Sequence, residues 1–243
     1  MRTVKANTIS PDDPTQDLTL GASGDTVTLP GNDLRVNTFK DKGGNSLWTS
    51  DGSGNLSSVN AGLKGNLLLL NTTNATDQAS VSFTSGIDST YDLYMFKFID
   101  VNPATNSANW TFQMDIASGS SYNQTMTSTF FRALHSEDDT STATLGYDTG
   151  NDQQQGTGFQ ILAQNVMNDA DASVCGELFL FSPSNTSFIK RFCARSGAMR
   201  TGPLTSDVFV AGYWTTSTAA LTKIQFKFDS GNFDGTIKMY GLL

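Results

Sequence analysis

Along residues 221–243, LTKIQFKFDSGNFDGTIKMYGLL, Ile224, Phe226 and Phe228 alternate with Gln225 and Lys227, and residues 236–240 alternate again after the turn DSGNFDG. A period of two with one apolar face predicts a β-hairpin here. The same pattern recurs upstream. Residues 91–101 (YDLYMFKFIDV) predict a long half-buried strand, and residues 110–116 (WTFQMDI) a second strand that pairs with it across NPATNSAN. Further strands are expected at 79–83, 126–134, 158–163, 174–181, 188–194 and 208–214, about ten in all. Helical periodicity is scarce: Phe159, Leu162 and Val166 fit one helical turn, but their Gly-rich flanks argue against it.

Residues 1–65 have a different texture. Short alternating runs at 17–20, 25–29 and 34–39, then at 47–49 and 56–59, are separated by GASGD, PGND, KDKGGN and SDGSGN. Strands this short cannot build a core of their own and gain one from copies of themselves or from a partner. Residues 66–80 (NLLLLNTTNATDQAS) suggest a brief buried strand and then a polar linker. The expected fold is all-β: an extended N-terminal arm or shaft over 1–65, a linker over 66–80, and a jelly-roll-like antiparallel β-sandwich over 81–243.

Composition narrows the function. Charged residues make up 16% of the 243 positions, against roughly 25% in an average globular domain. Ser, Thr, Asn and Gly fill the difference and favour turns over helices. The net charge of −8 repels phosphate backbones and anionic lipid surfaces, so nucleic-acid binding is not expected, and the longest apolar run, residues 67–70, is too short for membrane insertion. The N-terminal MRTVKANTISPDDP lacks the apolar stretch of a secretion signal, so synthesis in the cytoplasm is expected.

Candidate chemistry is sparse. His135, the single histidine, precedes Glu137 and Asp138, yet no nucleophile motif accompanies it. Asp51 and Asn55, and Asp169 and Asp171, place oxygens as calcium loops do, but tight turns use the same residues. No cofactor or metal is expected. Residues 136–155 and 165–173 are long polar loops, the usual place for binding on a β scaffold. With the segment around Tyr122 they nominate Tyr122, His135, Glu137, Asp138, Tyr147, Asp148 and Asp169 as contact residues. Trp110 and Trp214 lie inside strands and are expected in the core. If residues 183–185 form a three-residue loop, Cys175 and Cys193 face each other on adjacent strands, as a cross-strand disulfide or as two packed thiols.

Three stretches carry a resemblance. GIDSTYDLYMFKFIDVNPATNSANWTFQMDI (86–116), the closing IQFKFDSGNFDGTIKMYGL, and the N-terminal LTLGASGDTVTLPG…LRVNTFKDKGGNSLWTSDGSGNLSSVN together resemble the fibres, spikes and capsid decorations of bacteriophage particles. The resemblance implies a non-enzymatic virion protein, a homotrimer, with the N-terminal arm docked on other virion proteins and the sandwich displayed outward. A module that binds host-surface glycan or receptor is the alternative, and a polysaccharide-degrading enzyme a more distant one.

Overall fold

The computed structural model describes residues 37–53, 55–57, 59–60, 66–139, 143–215 and 217–242. The strands expected at 17–20 and 25–29 lie outside the described residues. Contacts divide the chain after Leu63 into two units.

In the first unit, β1 (Thr38–Lys40), β2 (Ser46–Ser50) and β3 (Leu56–Ser57) form a small antiparallel sheet. Phe39 and Trp48 face each other across it with rings stacked at 5.7 Å. Carboxylates close its turns. Asp51 Oδ1 accepts from the Ser53 and Asn55 amides at 2.7 and 3.1 Å, so the calcium-like spacing here serves the turn.

The second unit has twelve strands and, among the described residues, no helix. They are β4 (Leu67–Gln78), β5 (Val81–Phe83), β6 (Leu93–Pro103), β7 (Ala108–Ile116), β8 (Met126–Ser136), β9 (Ala143–Tyr147), β10 (Gln160–Val166), β11 (Val174–Phe181), β12 (Arg191–Arg200), β13 (Leu204–Trp214), β14 (Leu221–Phe228) and β15 (Phe233–Leu242). All pair antiparallel in one sheet with two arms. The larger arm runs β4-β15-β6-β11-β12-β13-β8-β9 and the smaller β10-β7-β14-β5; one pair, Val166 with Arg200, joins them.

The arms face each other across an aromatic core. Phe226, on the smaller arm, lies 5.4 Å from Phe96 and 5.2 Å from Phe98 on the larger one. Trp110 packs against Phe98 and Phe233, and Phe112 against Phe192 and Trp214. Trp110 and Trp214 are buried, as expected. Burial of several such rings supplies the main force holding the arms together.

The pairing is nested. β4 pairs with β15, β5 with β14, β6 with β11 and β7 with β10, while β8–β9 and β12–β13 extend the larger arm. Two expectations fail here. β14 and β15 are not a hairpin: residues 229–232 carry the chain from one arm to the other. Nor does β6 pair with β7, for the same reason. Alternation reports which face of a strand is apolar and leaves its neighbour open. Residues 71–78, expected as linker, continue β4 as a polar edge strand, and residues 160–166 are strand where one helical turn was also compatible.

The cysteine register also differs. The β11–β12 connection is residues 182–190, longer than the three-residue loop assumed, so Cys175 stands opposite Gly197 and Cys193 opposite Phe179. Both thiols are free. Four strand positions separate them, about 13 Å, beyond the reach of a disulfide.

Candidate functional site

The register distributes the nominated residues between two ends of the second unit. One end carries the connections 104–107, 167–173, 201–203 and 229–232, and residues 137–139 beyond β8. The other carries 84–92, 117–125, 148–159, 182–190 and both outer termini, Leu67 and Leu242. The expected 136–155 loop is interrupted by β9, which pairs with β8 and divides it between the ends.

His135, Glu137, Asp138 and Asp169 therefore share the first end. His135 Nε2 lies 3.1 Å from Asp139 Oδ1, and His135 and Glu137 border a shallow depression with Met199, Pro203 and Leu204. Asp169 lies in the 167–173 loop, where Asn102 Nδ2 donates to the Asp169 and Ala172 carbonyls. That end also carries Asp77, Asp100, Asp229 and Asp234, several engaged internally: Asp229 takes both the Asn109 amide and its side chain.

Tyr122, Tyr147 and Asp148 fall elsewhere and are tied into the fold. Tyr147 donates to Asp152 Oδ2 at 2.6 Å. Asp148 Oδ2 lies 2.6 Å from Arg132 Nη1. Burial pushes the Asp148 carboxyl up, but the hydrogen bonds from Arg132 and the Gly150 amide outweigh it and hold it below the usual aspartate range. The Tyr122 amide donates to the buried Asp115, whose carboxylate gathers the 117–125 loop. Asp115 Oδ2 accepts from Ser121 and Tyr122 N at 3.0 and 3.1 Å; Oδ1 accepts from Ile116 N and Gln124 Nε2 at 2.9 and 3.0 Å. Gly119 closes over it, where a Cβ would lie 1.9 Å from Oδ1.

Apart from Tyr147, what the sequence did not nominate is the outward face of the larger arm. Of the eleven large apolar residues exposed among the described residues of the second unit, nine lie on it: Leu67, Leu69, Ile99, Phe131, Leu145, Tyr147, Phe181, Phe209 and Tyr213. One row crosses the arm through paired positions, Tyr147–Phe131–Phe209–Arg195–Glu177–Lys97–Lys238. Phe131 and Phe209 stack with parallel planes, centroids 5.1 Å apart, and the Arg195 guanidinium lies 4.9 Å from the Phe209 ring centre. Arg195 also holds Asp207 by two hydrogen bonds, 3.0 and 2.7 Å. Ring spacing equals strand spacing, so the rings stand upright and offer edges outward. Nearer the second end, Thr127, Thr129, Phe181, Arg191, Ala211 and Tyr213 line an open depression of about 470 Å³. A signal for this face was present in consecutive apolar residues such as Val208-Phe209-Val210, which fill both sides of one strand.

The chain matches no protein-family model, no curated protein and no solved structure.

Proposed function

We propose that this chain is a non-enzymatic structural component of a bacteriophage particle, a fibre, spike or capsid decoration that assembles as a homotrimer. Its first 65 residues dock on the particle or form a shaft, and the second unit is a jelly-roll sandwich displayed outward. The observation that carries the reading is the nested pairing of β4–β7 with β15, β14, β11 and β10, the path of two interleaved Greek keys. Double-sheet jelly rolls of this order are a recurrent architecture of virus particles and of lectins, so the analogy is one of fold. A deep catalytic cleft gains little support: Asp148 is engaged by Arg132, and Asp139 faces His135.

A second reading, contact with a host-surface glycan or receptor, is favoured by one feature. The acidic end with His135, Glu137, Asp138 and Asp169 lies opposite the end where Leu67 enters the sheet. The upright rings of the outward face favour it less, because sugars stack on ring faces.

Native mass spectrometry of the full chain, with antibody labelling of intact particles, tests the first reading. Trimer mass and labelled particles are expected; a stable monomer absent from particles overturns it. Cell binding abolished by alanine at Glu137, Asp138 and Asp169 together would establish the second.

A further inference from the structure

Exposed apolar side chains are normal when scattered and informative when gathered. Here they gather on the outward face of the larger arm, and we propose that this face is where copies of the chain pack on one another. The inference rests on the homo-oligomer reading above and names the surface it would use.

Area, charge and shape agree. Eight strands at about 4.8 Å and lengths of some 30 Å give a face on the order of 1,000 Å². A standard interface takes about 800 Å² from each partner. A chain of net charge −8 repels its copies through most of its surface. The outward face instead holds Lys97, Arg191, Arg195 and Lys238 against Glu177, Asp207 and Asp100, whose carboxylate lies 3.5 Å from the outward Cys175 Sγ, so its charges nearly balance and copies meeting here avoid that repulsion.

The surface carries a knob as well as a hollow. Phe188, 74% exposed, stands out from the 182–190 connection, its amide and that of Ser187 held by Asn185 Oδ1 at 3.0 and 2.7 Å. It lies in the connection between Phe181 and Arg191, two residues that line the apolar depression. A protruding ring next to a depression lets each copy give one and receive one, as closed symmetric assemblies require. The rims fit the same role. β9 contains no charge and no proline, and Leu145 on it is 78% exposed; β4 has no charge before Asp77. Chains that avoid partners usually blunt such edges with lysine or proline.

Cys175 and Cys193 both point outward on this face and serve as native probes. In the full chain, maleimide labelling of both thiols is expected to slow at least tenfold in the oligomer relative to chains diluted until they separate. Ala211→Arg with Leu145→Arg is expected to raise the dissociation constant at least a hundredfold and restore fast labelling. Ser82→Lys, on the outer side of the smaller arm, is expected to do neither. An oligomer whose thiols label at the rate of the separated chain, or that survives both arginines, overturns this inference and leaves the homo-oligomer reading intact. A wild-type chain monomeric at all concentrations overturns both, and the labelling arm decides even if the arginine variant does not fold.

Discussion

Replacing Asp115 by Asn changes one atom at a buried position and should be among the more damaging isosteric substitutions in this chain. The carboxylate is 1% exposed and accepts four hydrogen bonds, two on each oxygen. Hydrogen bonds to a charged group contribute about 1.5–3 kcal/mol each. Asn keeps one acceptor oxygen and turns its NH₂ toward the two donors at the other, so two bonds are lost and donor meets donor. Part of the loss returns because burying a carboxylate carries its own desolvation cost. The balance is a destabilisation of about 3 kcal/mol. Urea denaturation followed by tryptophan fluorescence measures it. Amide hydrogen exchange should show Ser121 and Tyr122 opening while Phe226 in the core stays protected. A loss under about 1 kcal/mol, or unchanged exchange at Ser121 and Tyr122, refutes the view that this carboxylate organises the 117–125 loop.

Phe226→Ala removes the ring that touches Phe96 and Phe98 across the core and should cost about 3–5 kcal/mol by urea denaturation. Gly235→Ala should destabilise strongly, because Gly235 has φ +138° and an added Cβ would lie 2.7 Å from the Val101 Cα; a melting temperature equal to wild type contradicts this. Asp148, held below the usual aspartate range, contributes stability that is present above an unfolded value of about 3.9 and is lost as pH falls through the lower folded value. Denaturation midpoints between pH 2 and 6 should therefore drop below about pH 4, and the drop should shrink in Arg132→Met. In the separated chain both free thiols should react with a maleimide, the exposed Cys175 readily and Cys193 more slowly, since burial and the nearby Glu177 push the Cys193 thiol up; fewer than two reactive thiols contradicts the register of β11 and β12.

Strand existence was legible because alternation in runs such as IQFKF and YMFKF survives any choice of partner. Neighbours were not. β14 and β15 look like a hairpin in sequence, yet each finds a longer apolar contact on its own arm. β7 shows the limit clearly. Thr111, Gln113 and Asp115 have the polar spacing of an exposed face but are buried, hydrogen-bonded by Lys227 and by loop residues such as Gln124 and Gly158. Loops that fold back over a strand leave no mark in its period. Of the nominated residues, His135, Glu137, Asp138 and Asp169 do share one end. Tyr147 and Asp148 were separated from them by β9, whose five residues between polar segments were too short to stand out as a strand.

The partnership of β4 with β15 sets a timetable. Residues 67–78 leave the ribosome long before residues 233–242, and at 5–20 residues per second the interval is roughly 10–30 s. For that time a long strand with no charge before Asp77 waits without its mate. Where several ribosomes translate one message, the nearest substitute is the β15 of a sister chain slightly ahead. The same nesting that closes the finished sheet thus makes strand exchange between nascent copies the natural error of this fold, and one that slower elongation through residues 80–230 would aggravate.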